Sequence, residues 1–312
     1  MSASTAPGGP ASASPKGSGM PPSRLFVAGA GIMGAGIAAQ AALVGWEVDL
    51  YDVQQAFVDR GLQAVRKDVD RLVRKGKLTA EAGAVVRGRV RGTLELEPAS
   101  KASVIMEAAP ERMELKHELF RKFDTIARPE ALLGTNTSSL SITAIAAAVK
   151  DPGRVVGIHF FNPVVAMELV EVIPGFRTRS EEVERAREFA RGLGKTVTSS
   201  KDAPGFVTTR AMATLANEAI WMLHDGVATR EDIDTAHKLG FHHPMGPLEL
   251  ADLVGLDTML SVLERLYTGF RDPKYRACPL LVSMVEAGLL GRKSGEGFYR
   301  YEATPGAGTR PS

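Results

Sequence analysis

One cysteine, Cys278, is all the 312-residue chain has, so no intramolecular disulfide framework can exist and a reducing, cytoplasmic setting is expected. Aromatics make up 6% of the chain, and no run of apolar residues approaches the ~20 needed to span a bilayer. An excess of one charge is missing too: 38 Lys plus Arg face 36 Asp plus Glu, which argues against nucleic acid as the main partner. The first 23 residues lack both the apolar core of a secretory signal and the arginines of a transit peptide. Rich in Ala, Ser, Pro and Gly, they read as a disordered tail, and 302–312 as a flexible one.

What remains is an ordinary globular composition, 44% hydrophobic and 24% charged, long enough for two domains. Arg24–Ala28 reads as a buried strand, Ile32–Leu43 as a helix of small residues, and Glu47–Asp52 as a second strand. Gln54 to Lys75 reads as a helix with Phe57, Leu62, Val65, Val69 and Leu72 on its apolar stripe. Further strands are expected at Val104–Ala108, Ala131–Thr135 and Val155–Phe161, with a charged helix over Glu111–Arg128. Leu169–Ile173 follows Val155–Phe161 too soon for a helical crossover and should return antiparallel. From Pro204 onward the pattern is helical, with a cap at Thr229-Arg230-Glu231-Asp232. The expected class is α/β, a Rossmann-type domain over 24–203 followed by an all-helical domain over 204–301.

The glycine run Gly29-Ala30-Gly31-Ile32-Met33-Gly34 is informative because of its setting: it leaves a strand, opens a helix, and has Asp52 at the end of the next strand. Gly29 suits a tight turn, Gly31 a close approach of backbone to pyrophosphate, and Gly34 close helix–strand packing. Asp52 can accept from ribose hydroxyls and would repel a 2′-phosphate, which favours NAD over NADP. An S-adenosylmethionine site could use the same turn, yet would leave the downstream histidine unexplained.

That histidine is His159, in Gly157-Ile158-His159-Phe160-Phe161-Asn162-Pro163, with Glu171 twelve residues beyond. If the two strands pair antiparallel about residue 165, both side chains share one sheet face and can meet. The carboxylate would then fix the imidazole tautomer and stabilise the imidazolium after proton uptake. His117, His224, His237, His242 and His243 read as packed or solvated; no third ligand with recognisable spacing accompanies His242-His243 in the sequence, so no metal is expected.

At these residues the chain resembles the 3-hydroxyacyl-CoA dehydrogenases, particularly the bacterial 3-hydroxybutyryl-CoA dehydrogenases. The likeness runs from Arg24 to Tyr301 through GAGIMGAGIA at Gly29–Ala38, EAAPE at Glu107–Glu111 and NTSSL at Asn136–Leu140. It continues through HFFNPV at His159–Val164, PGFV at Pro204–Val207, the stretch Glu231–Asp257, and GRKSGEGFY at Gly291–Tyr299. The resemblance implies His159 as catalytic base, Glu171 as its partner, and Ser138 as a contact to substrate and cofactor. It also implies Glu111, Lys116, Asn162 and Lys293 as cofactor contacts and Lys75 as a CoA contact. Two positions depart from the family: Thr209 stands where an active-site Asn is usual, and Asp68 replaces a CoA-contacting Ser.

The implied reaction is NAD-dependent oxidation of a (3S)-3-hydroxyacyl-CoA in fatty acid metabolism, by a homodimer formed through the helical domain. Trp221, Met222 and Leu223 could equally pack within one subunit. A free hydroxyacid dehydrogenase of the gulonate type, or an idle NAD-binding protein, are the alternative readings.

Overall fold

The computed structural model describes residues 22–302, so most of both expected tails lies outside it. The described residues divide into two compact units, 22–136 with 145–199, and 137–144 with 200–302.

The first unit is an α/β sheet with helices. Its strands are β1 (Arg24–Ala28), β2 (Glu47–Tyr51), β3 (Val90–Thr93), β4 (Val104–Glu107), β5 (Leu132–Thr135), β6 (Val155–Phe160), β7 (Leu169–Pro174) and β8 (Thr196–Ser199). They lie in the order β3-β2-β1-β4-β5-β6-β7-β8, all neighbours parallel except β6 and β7. The parallel strands are continuous apolar runs such as Leu25-Phe26-Val27 because both faces are covered. Helices α1 (Ile32–Leu43), α2 (Gln55–Arg74), α3 (Ala80–Gly88), α4 (Met113–Ile126) and α6 (Ser180–Gly192) complete the run, and α5 (Ile142–Ala146) crosses the 144–145 division between the two units. Small side chains let α1 bury Gly34, Ala35, Gly36, Ala38, Ala39, Ala41 and Ala42.

Three details differ from expectation. On α2 the buried residue near the start is Val58; Phe57 is exposed beneath the Arg60 guanidinium, 4.6 Å from its ring centroid. Arg112 is extended (φ −129°, ψ 123°), so α4 begins at Met113 instead of Glu111, as a residue pair following Pro110 readily allows. Residues 137–144, read from the sequence as part of the first domain, cluster with the second unit. The physical reason is a side-chain tether: Asp202 accepts from the backbone NH of Ile142 (2.9 Å) and Thr143 (2.8 Å) and from the Ser141 hydroxyl (2.9 Å).

The second unit contains helices α7 (Thr208–His224), α8 (Arg230–Gly240), α9 (Pro247–Val254), α10 (Leu256–Phe270) and α11 (Pro279–Glu286). Thr229 caps α8 by accepting from Asp232 N at 3.2 Å. Its core is aliphatic, with Ala216, Ile220, Leu248, Met259, Leu263 and Leu266 among the buried residues. Two buried carboxylates organise the rest. Asp234 accepts from Leu248 N and Glu249 N, and Asp252 from Phe298 N, Tyr299 N and the Tyr301 hydroxyl, which fastens the closing segment. Among the described residues, no helix is long and apolar enough to cross a membrane.

Candidate active site

The glycine turn lies between β1 and α1. Gly29 has φ +109°, and a Cβ there would lie 2.5 Å from Ala108 O; one on Gly34 would lie 1.8 Å from Gly29 O. A Cβ on Gly31 would meet nothing within 4 Å, so this helix-capping residue faces open space. The first amides of an α-helix have no intrahelical acceptor, so a phosphate at this turn would meet free donors and the positive end of α1. Asp52 follows β2 and accepts from Ala30 N at 2.8 Å, which puts its carboxylate at the turn. Ile32 is exposed, and Met33 half-buried. Turn, helix terminus and carboxylate together fit the pyrophosphate and ribose of NAD.

A second polar cluster sits at the C-terminal ends of β4 and β5, where open α/β sheets place their ligands. Glu107, fully buried, accepts from Lys116 Nζ (2.7 and 2.9 Å), the Thr135 hydroxyl (2.6 Å) and Ala109 N (2.7 Å). Lys116 is 1% exposed, so its ammonium is spent on Glu107, with Glu111 3.4 Å away. The sequence marked Lys116 and Glu111 but gave Glu107 no role; the motif EAAPE was the available signal. Asn136 opens the NTSSL stretch, and its part is visible only in the structure. It uses its Oδ1 to accept from Phe160 N at 2.8 Å, fixing β6 beside His159.

His159 and Glu171 are directly opposed in the β6–β7 ladder. Their side chains meet, with Nδ1 to Oε2 at 2.9 Å; the histidine is 6% exposed and the glutamate 0%. An ionised carboxylate can only accept, so the contact favours the tautomer with its proton on Nδ1 and its lone pair on Nε2. Phe161 stacks obliquely on the imidazole, with centroids 4.5 Å apart. An imidazole paired in this way with a buried carboxylate is chemically suited to taking up a proton and giving it back.

Asn162 follows this strand and is exposed. Lys75, the C-cap of α2, is exposed as well, and Asp68 two turns earlier is paired with Arg71 at 2.9 Å. That pairing leaves the departure at Asp68 locally compensated. Three further positions lie in the second unit: Ser138 is half-buried, Thr209 is buried in the first turn of α7, and Lys293 pairs with Asp257.

Comparison with known proteins gives the same picture. Residues 24–203 match the family described as 3-hydroxyacyl-CoA dehydrogenase, NAD binding domain, and 205–301 match its C-terminal domain. A 3-hydroxybutyryl-CoA dehydrogenase of Bradyrhizobium diazoefficiens is 45% identical over 287 residues, covering 92% of this chain and 98% of that one. The crystal structure of (S)-3-hydroxybutyryl-CoA dehydrogenase PaaH1 from Ralstonia eutropha superposes with a TM-score of 0.86 at 42% identity, covering 89% of this chain and 99% of that one. FadB2 of M. tuberculosis does so with a TM-score of 0.88 at 41% identity, over the same shares. With a matching NAD-binding domain, matching C-terminal domain and full-length relatives, the chain belongs to the 3-hydroxyacyl-CoA dehydrogenase family of NAD-dependent oxidoreductases.

Proposed function

We propose that the protein interconverts (3S)-3-hydroxyacyl-CoA and 3-oxoacyl-CoA, with 3-hydroxybutyryl-CoA as the preferred substrate and His159 as general base. The observation that carries this reading is the 2.9 Å contact between His159 Nδ1 and a fully buried Glu171. In oxidation, Nε2 accepts the proton of the 3-hydroxyl as the C3–H bond breaks and the carbonyl forms. Bound NAD supplies the acceptor for the hydride. Glu171 offsets the new imidazolium charge, a role that needs no movement because the carboxylate is already in place. In reduction the imidazolium returns the proton to the carbonyl oxygen.

The glycine turn from Gly29 to Gly34 and Asp52 hold the dinucleotide, and Glu111, Lys116, Asn162 and Lys293 are proposed as further cofactor contacts by family motif. For Lys116 the buried pairing with Glu107 supports a contact made through Glu111 rather than by its own ammonium. Ser138 supplies a hydroxyl to the reacting oxygen, Thr209 a shorter donor than the usual Asn, and Lys75 a positive charge for CoA phosphate. A homodimer in the cytoplasm is proposed too. Exposed apolar residues of the second unit, Val227, Leu239 and Phe241, support it.

The test is a spectrophotometric panel: acetoacetyl-CoA and longer 3-oxoacyl-CoAs, their free acids, and NADH against NADPH. The reading predicts turnover of thioesters with NADH, greatest for the four-carbon acyl chain. Turnover confined to free acids, or a preference for NADPH, would contradict it.

A further inference from the structure

The segment leaving the His159 strand is tied down by a buried ammonium. Pro163 O accepts from Ala166 N (2.9 Å) and Met167 N (3.0 Å), so residues 163–167 form one tight turn. Lys195, 28 residues beyond Met167 and just before β8, is 8% exposed. Its Nζ donates to Val164 O at 2.6 Å and Met167 O at 2.8 Å. Helix α1 packs on the same turn: a Cβ built on Gly36 would approach Val164 Cγ2 to 2.8 Å. Val164 is thus buried while Asn162 and Pro163 stay exposed. Burying an ammonium is unfavourable unless its donors are used, and a lysine spent on two backbone carbonyls adds no apolar packing that Met or Leu could not supply. What it adds is a fixed position for the turn.

We propose that Lys195 is a positioning residue of the dehydrogenase: it locks the 163–167 turn so that Asn162 is held at the cofactor and the end of the His159 strand cannot shift. The proposal rests on the functional reading above, in which Asn162 contacts cofactor and His159 is the base. The Lys195 ammonium is bonded to the carbonyls of Val164 and Met167, so it acts through the backbone it holds. A misplacement of about 1 Å in a positioning element is enough to cost on the order of a hundredfold in rate.

The experiment compares Lys195→Met, Lys195→Gln and Lys195→Arg with the wild type in three readouts: NADH affinity by fluorescence titration, kcat with acetoacetyl-CoA at saturating NADH, and amide exchange of residues 163–168 in the cofactor-free protein. The expected result for folded Lys195→Met is an NADH Kd raised by about tenfold or more, a lowered kcat, and faster exchange at Ala166 and Met167. Lys195→Arg, which keeps charged donors, should recover part of all three. Unchanged Kd and kcat with only a lower Tm would overturn the proposal, since Lys195 would then serve stability alone. Failure of both Lys195→Met and Lys195→Gln to fold would overturn it for the same reason. A wild type that binds no NADH and reduces no acetoacetyl-CoA would overturn the functional reading and this proposal together, whereas an active wild type with indifferent variants would remove only Lys195.

Discussion

At the scale of single residues, the account depends on what each ionisable group is already bonded to. Glu171 is useful because it is buried and sets a carboxylate oxygen 2.9 Å from His159 Nδ1. Glu171→Gln keeps the size but loses the counter-charge, and a turned amide would favour the wrong tautomer. Turnover should fall by roughly 10²–10⁴ with NADH affinity nearly unchanged, as a kcat assay beside a binding titration would show. At Thr209, Thr209→Asn tests whether the missing amide matters: a rise in kcat supports a role for this position, and no change removes it from the site. The His159–Glu171 pairing was legible in the sequence because β-strand register is arithmetic: two positions equidistant from a turn must face each other. Glu107 was not, since nothing in EAAPE alone says that its first acid is satisfied by Lys116 and Thr135 from elements on either side.

At the scale of elements, β1, α1 and the antiparallel β6–β7 return were legible in strong periodicity and glycine punctuation. The edge strands β3 (Val90-Arg91-Gly92-Thr93) and β8 (Thr196-Val197-Thr198-Ser199) were not read. They are short, carry few apolar residues, and owe their strand state to the partner they extend. Helix α2 ends in Arg71, Arg74 and Lys75, and only Arg71 is balanced locally by Asp68. Lys75→Glu should raise KM for acetoacetyl-CoA by roughly tenfold with kcat little changed, as expected for a group that binds ground and transition states alike. The closing segment depends on Asp252, whose two oxygens receive three donors. Asp252→Asn sets an amide against a backbone NH and should destabilise the protein by about 1–3 kcal/mol, measured as a lower denaturation midpoint.

At the scale of the whole molecule, the chain's division was only partly legible. The switch from sheet to helices near residue 200 is visible in composition, but the transfer of 137–144 to the second unit depends on Asp202 and its three donors. The closing segment also gives the fold a pH signature. Burial, and then the hydrogen bond to the Asp252 carboxylate, push the Tyr301 hydroxyl up to about 12 from its ordinary 10.0, and Tyr299 is raised in the same direction. Between those two values the unfolded chain has released a proton that the folded chain keeps. Stability supplied by Tyr301 is therefore whole below 10.0 and is lost as pH rises toward about 12. Denaturant midpoints measured across that window should fall in the wild type and fall less in Tyr301→Phe.

The most direct measurement is made on His159→Gln: NADH binding by fluorescence and acetoacetyl-CoA reduction in the same preparation. Affinity for NADH close to that of the wild type, with turnover reduced by at least roughly 10², is the result predicted for a base lost from an intact cofactor site. Turnover equal to that of the wild type would contradict it.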